Sequence, residues 1–142
     1  MIYFDTSYIV RLYLEDPGWE AVRALAATAP VACCVHGRAE AVAAFHRKLR
    51  EGVLAQQELR VLMGQFDQDC AEQGFRWLPL SEAVVDRLSR TYRDLRPSVH
   101  LRAADSVHLA CAAENGFKEI YSNDKRLLAG ARYFGLHGRD VM

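Results

Sequence analysis

Four acids in this chain have the type and placement to do chemistry: Asp5, Glu40, Asp105 and Asp124. Asp5 ends the apolar run Ile2 to Phe4 and opens "TSYIVRLYL". Glu40 falls in the first turn of the helix expected after "VACCVHG", Asp105 begins "DSVHLACAA", and Asp124 follows "EIYS" and opens "DKRLLAGA". An ionised carboxylate at the mouth of a buried strand is costly unless something pairs with it. Taken singly, each acid has a local explanation, because Asp5 and Asp124 suit helix N-caps and the helix dipole favours acids in a first turn. Capping does not require four acids at one end of one sheet, where their mutual repulsion would raise their pKa values. A divalent cation removes that repulsion, and carboxylate oxygens are hard ligands suited to Mg²⁺ or Mn²⁺. Such an ion polarises a phosphoryl oxygen and makes hydroxide available near neutral pH, so phosphodiester hydrolysis needs no Ser, Cys or His nucleophile.

The small polar residues beside the acids are open to two readings. Thr6, Ser7, Ser122 and Asn123 either orient the acids or bind a phosphate, or they are ordinary turn residues at helix starts. Arg11, Arg38, Arg102, Lys125 and Arg126 lie within a few positions of the acids and either meet phosphates or are solvated surface. His108, one turn after Asp105, is within reach of it and is read as packed in its helix, not as catalytic. The other four histidines lack metal-ligand spacing.

The elements that must position these residues alternate. Four apolar runs have strand character, Ile2 to Phe4, Val31 to Val35, Phe75 to Leu80 and Glu119 to Ser122, with a weaker fifth near Gly135 to Val141. The stretches between them carry apolar residues at helical spacing. Gly52 and Gly74 read as helix stops and Ser81 with Glu82 as a start. This alternation predicts an α/β fold with a parallel sheet covered by helices on both faces. Two successive helices fit between Val35 and Phe75, broken near Glu51 and Gly52. Val42, Phe45, Leu49, Leu59, Leu62 and Phe66 are expected to form the core of that hairpin, part of which could instead face a partner. "LRPSVHLRA" reads as the one ordered loop of any length.

At 142 residues the chain has the size of one domain, residues 1–142, with 51% apolar and 25% charged residues and no formal net charge. That balance argues against a disordered tail and names no partner. Of 18 basic residues 15 are Arg, the better side chain for bidentate phosphate contacts. Cys33, Cys34, Cys70 and Cys111 form no C-x-x-C pair, so reduced thiols in a cytoplasmic protein are expected. No stretch has the length of a membrane span or the layout of a signal peptide.

Four blocks carry a resemblance: "YFDTSYIVRLY", "RAEAVAAFHR", "RAADSVHLACAAENG" and "IYSNDKRLLAGARYFGL". They resemble, in order, the acidic blocks of PIN-domain ribonucleases, and the small single-domain form is similar to VapC toxins. The resemblance implies a Rossmann-like three-layer α/β/α sandwich and Mg²⁺- or Mn²⁺-dependent endoribonuclease activity. It also implies a homodimer, and inhibition by an antitoxin whose C-terminal segment lies over the active site. Asp5, Glu40, Asp105 and Asp124 match the family's acidic set, and Thr6 or Ser7 and Ser122 its accessory hydroxyls. A neutral chain departs from the more basic members.

Two rivals differ in class. A receiver domain or aspartyl phosphatase also places Asp at strand ends, but the phosphatase carries a second Asp two residues on, where this chain has Ser7. A non-catalytic PIN-like module would only bind RNA or an antitoxin. Metal affinity separates that module from an enzyme.

Overall fold

A computed structural model describes all residues, 1–142. Strand β1 (Ile2–Tyr3) leads to helices α1 (Thr6–Arg11) and α2 (Trp19–Ala26), then β2 (Val31–Cys34), α3 (Val35–Arg50) and α4 (Gln56–Ala71). After β3 (Phe75–Leu78) come α5 (Glu82–Asp94) and α6 (Ala103–Glu114). The chain ends with β4 (Glu119–Tyr121), α7 (Lys125–Gly130), a 3-10 turn (Ala131–Phe134) and β5 (His137–Arg139). All strand pairs are parallel: β1 with β2, β2 with β3, and β4 with β5. A single bridge between Phe4 and Tyr121 joins β1 to β4, reinforced by the Asp5 amide donating to the Tyr121 carbonyl at 3.0 Å. The strands therefore run in the order β3-β2-β1-β4-β5.

Neighbouring side chains of a strand point to opposite faces, and the core divides accordingly. Tyr3, Ala32, Cys34, Leu78 and Ile120 pack with α5, α6 and the C-terminal helical turns. Phe4, Val31 and Cys33 pack with α1 to α4 on the other side, giving the α/β/α sandwich. The α3–α4 hairpin stands on that second face. Tyr13, Phe45 and Phe66 meet edge-on beneath it, with centroids 5.2 to 5.8 Å apart. Phe45, Leu59 and Phe66 are core as expected and Leu49 and Leu62 are partly buried, whereas Val42 is exposed. All four cysteines are free thiols. No helix is long and apolar enough to cross a membrane.

Several boundaries differ from the sequence expectations. Val35 starts α3 and does not extend β2, because β1 has turned towards β4 and the Cys34 amide donates to the Tyr3 hydroxyl (3.1 Å). Glu40 consequently lies in the second turn of α3, beyond the reach of the helix dipole that a first-turn placement would invoke. Strand β3 stops at Leu78, before Pro79, and β4 stops at Tyr121. Helix α1 ends at Arg11, because the chain turns back through Asp16–Pro17–Gly18 and Arg11 Nε donates to the Pro17 carbonyl (2.8 Å). At the end of α4 the left-handed residue is Gln73 (φ 59°), one position before the expected stop at Gly74. Gly74 packs there against Asp69, whose carbonyl accepts its amide at 2.8 Å. Ser81 caps α5 as expected, accepting from the Val84 amide.

Candidate active site

Strands β2 and β3 lie to one side of β1, and β4 and β5 to the other, so the chain reverses its winding between β1 and β4. In open α/β sheets ligands bind beyond the carboxyl ends of the strands at that switch point. A cleft of about 740 Å³ opens there, lined by five acids: Asp5, Glu40, Asp105 and Asp124, and Asp16 at the side, which is paired with Lys48 Nζ at 2.8 Å. Asp5 comes from the end of β1, Glu40 from α3, Asp105 from the start of α6, and Asp124 from the turn after β4. A second cavity, of about 680 Å³, lies at the opposite ends of the strands and gathers one acid, Glu119.

Asp5 is almost fully buried, at 5% exposure. Its Oδ1 accepts from Ser7 Oγ (2.6 Å) and the Tyr8 amide (3.2 Å), and its Oδ2 accepts from Ser122 Oγ (2.6 Å). Burial raises its carboxyl above the ordinary aspartate value, against the opposing pull of His108 and the hydroxyls of Ser122 and Ser7. Asp5 therefore does cap α1, and it faces the cleft as well. The same holds for Asp124: Oδ1 caps α7 through the amides of Arg126 (2.8 Å) and Leu127 (3.3 Å), while Oδ2 turns to Arg102. Capping and cleft-facing are thus not alternatives, since a carboxylate has two oxygens and each cap uses one.

Glu40 is held by side chains from two other helices. Its Oε1 accepts from Thr6 Oγ1 (2.8 Å) and from His108 Nε2 (2.7 Å). Burial alone would raise its carboxyl, but the hydrogen bonds and charge of His108 and the Thr6 hydroxyl prevail and hold it below the ordinary glutamate value. His108 is 3% exposed, and its Nδ1 meets the Tyr3 hydroxyl at 3.1 Å. That hydroxyl also accepts the Cys34 amide, and Nε2 carries the hydrogen offered to Glu40. His108 is packed in its helix as expected, and its hydrogen bonds do not go to Asp105, which it could reach. His108 instead reaches 68 positions back in sequence to Glu40, because α6 packs over the sheet beside the end of β1.

Gly37 makes this approach of helices possible. A Cβ there would lie 2.5 Å from Cys33 Sγ and 3.1 Å from both His108 Cε1 and Thr6 Oγ1. Gly37→Ala is expected to destabilise the protein by about 1–3 kcal/mol through overpacking, measured by urea unfolding. An unchanged midpoint would show that these neighbours yield freely.

Asp105, 6% exposed, is gripped by Arg102: Nε donates to Oδ2 (3.0 Å), Nη2 to Oδ1 (3.2 Å), and the Arg102 amide to Oδ2 (3.3 Å). The same Nη2 donates to Asp124 Oδ2 at 2.6 Å. No three Asp, Glu, His or Cys side chains stand close enough together to make a closed ligand cage. Between Asp105 and Asp124 the guanidinium occupies the space that such a cage would need. The donor set itself is all carboxylate oxygen, which fits Mg²⁺ or Mn²⁺ better than a soft metal.

The accessory residues orient the acids. Thr6 holds Glu40, Ser7 and Ser122 hold Asp5, and the Asn123 and Asp124 amides donate to the Ser7 and Ser122 hydroxyls at 3.4 and 2.9 Å. Of the basic residues near the acids in sequence, Arg11 and Arg102 line the cleft, whereas Arg38 faces Asp67 (3.9 Å) and Lys125 and Arg126 border another cavity. Two cleft arginines escaped the sequence reading, Arg47 and Arg50 on α3. Their signal was present: they lie seven and ten positions after Glu40, which puts all three on one helix face, with Ala43 and Ala44 as the low floor between.

The PIN domain family profile matches residues 2–132. Comparison with curated proteins finds no significant match. Among solved structures, FitAcB from Neisseria gonorrhoeae superposes with a TM-score of 0.75 at 18% identity, over 97% of this chain and 96% of its own. VapC20 from Mycobacterium tuberculosis, a toxin that cleaves the sarcin–ricin loop, gives 0.67 at 17% identity, over 92% and 95%. A toxin–antitoxin complex from Klebsiella pneumoniae gives 0.60 at 19% identity, over 94% of both chains. At such identities the structural likeness concerns the fold, and the profile match carries the assignment: the chain belongs to the PIN domain family.

Proposed function

We propose that this protein is a divalent-metal-dependent endoribonuclease and the toxin half of a toxin–antitoxin pair. One observation carries the reading: besides Asp16, which is paired with Lys48, four acids from four separate segments line a single cleft at the switch point of the sheet, two of them almost fully buried. Carboxylates gathered in one cleft repel one another; hydrogen bonds and the single charge of Arg102 relieve part of that repulsion, and a divalent cation would relieve more. Asp5, Glu40, Asp105 and Asp124 would hold Mg²⁺ or Mn²⁺, which when bound supplies phosphate polarisation and an acidified water. Ser7 and Ser122 keep both Asp5 oxygens in place, and Thr6 and His108 aim Glu40. Arg11, Arg47 and Arg50 give the cleft a basic wall, which suits an RNA backbone even though the whole chain is neutral. A toxin that cleaves the sarcin–ricin loop and a toxin–antitoxin complex share the fold, which supports RNA as substrate and an antitoxin as partner. A homodimer in the cytoplasm completes the proposal.

The test is cleavage of a mixed, structured RNA pool by the purified, antitoxin-free protein with Mg²⁺ or Mn²⁺. Cutting is expected to vanish with chelator and with Asp124→Asn, which keeps a capping side chain but loses the charge. A folded protein that neither cuts the pool nor binds either metal would leave the non-catalytic binding module in its place.

A further inference from the structure

We infer that Arg102 is a resident counter-ion of the acidic cleft, and that a divalent cation enters by displacing its guanidinium from Asp105 and Asp124. The inference rests on the metal-binding reading of the cleft. Arg102 engages both oxygens of Asp105 and the outward oxygen of Asp124 at 2.6 to 3.2 Å, so one guanidinium is shared by two of the acids and offsets one of their two negative charges. A planar fork of this kind fits carboxylates in a way that a Lys would not. Any cation using these two acids needs the same oxygens.

The backbone of Arg102 is fixed while its side chain is free to leave. The Arg102 carbonyl accepts from Ser106 Oγ (2.8 Å) and the Ser106 amide (3.1 Å), and the preceding carbonyl, of Leu101, accepts from Tyr92 (2.9 Å). Leu101 is buried against Gly130, where an added Cβ would lie 2.5 Å from Leu101 Cδ2. The Arg102 side chain is 56% exposed, in contrast to 8% for Asp105, so water is open to the displaced guanidinium. The repulsion between Asp105 and Asp124 in the metal-free cleft is thereby reduced, and cation binding competes with an internal ligand present in every molecule.

The experiment is Mn²⁺ binding, without RNA, followed by calorimetry and by the paramagnetic resonance of free Mn²⁺. Arg102→Gln, which removes the charge, is expected to bind Mn²⁺ about three- to tenfold more tightly than the wild type, the scale of two partly exposed ion pairs. Its metal-free melting temperature should fall and its rise on adding Mn²⁺ should exceed that of the wild type. Arg60→Gln makes the same charge change at an exposed side chain on α4, outside the cleft lining, and should leave the affinity within about twofold. Arg102→Lys, which retains the charge without the fork, should fall between wild type and Gln and serves if the Gln variant is unfolded. Equal or weaker binding by a folded Arg102→Gln, or an equal gain in Arg60→Gln, would overturn the inference and leave the metal site standing. If neither wild type nor variant binds Mn²⁺, the metal reading fails and the inference with it.

Discussion

Asp5→Asn should remain folded and lose RNA cleavage by more than about a hundredfold, beyond the about 10–100-fold typical of losing a group that only supports a metal ligand. Asn is a good cap, so its Oδ1 can keep the Tyr8 amide and Ser7 hydroxyl, while its Nδ2 donates to Ser122 Oγ where Asp5 accepted. The variant also removes a buried charge. Because burial raises the folded-state pKa of Asp5, the folded protein holds that proton more tightly than the unfolded chain. The resulting stability is full below the ordinary aspartate value and is lost as pH rises through the raised one. At neutral pH the metal-free wild type bears the whole penalty and the Asn variant does not. Its melting temperature without metal should therefore equal or exceed that of the wild type. A full rate of cleavage would remove Asp5 from the site, and an unfolded variant would show that the charge itself is structural.

His108→Leu should lower cleavage about 10–100-fold although the side chain faces Glu40 and not the substrate. The substitution removes the Nε2 donor from Glu40 and the Nδ1 partner from the Tyr3 hydroxyl, costing about 1–3 kcal/mol of stability for a buried group left unpaired. His108→Gln, which can return an N–H to Glu40, should recover part of the rate, a rescue that lost packing alone would not produce. The pH dependence gives a separate readout. Glu40 is held below the ordinary glutamate value, so its stabilising contribution is present above that value and disappears as pH falls through the lower, folded one. In His108→Leu this contribution shrinks, and urea midpoints measured from about pH 3 to 5 should vary less steeply than in the wild type. An unchanged profile and rate would make His108 a packing residue only.

The local grammar of the chain was readable because it rests on interactions a few residues long. Apolar runs ending in Asp or leading into Ser and Asn marked strand ends and helix starts, and Asp5, Ser81 and Asp124 do cap the helices they precede. The boundary errors share a cause. Val35 has strand character, yet the sheet ends at Cys34 because β1 has already left to pair with β4. The placement of Glu40 in a first turn inherited that error. Gln73 takes the left-handed position beside a glycine because Gly74 is needed for its close approach to Asp69.

The sequence by itself pointed to which residues could do the chemistry: four carboxylates, three of them at element boundaries with Ser or Thr nearby, in a chain long enough to bury them. Tertiary structure alone decided which oxygen faces which donor. Ser122 reaches Asp5 across 117 positions, His108 reaches Glu40 across 68, and Arg102 bridges Asp105 and Asp124 over a gap set by the packing of α6 against α7. Local propensity acts through neighbouring torsions and side chains and fades within a turn or two. Contacts over such separations exist only once the strand order and the burial of the two core faces have set the segments side by side.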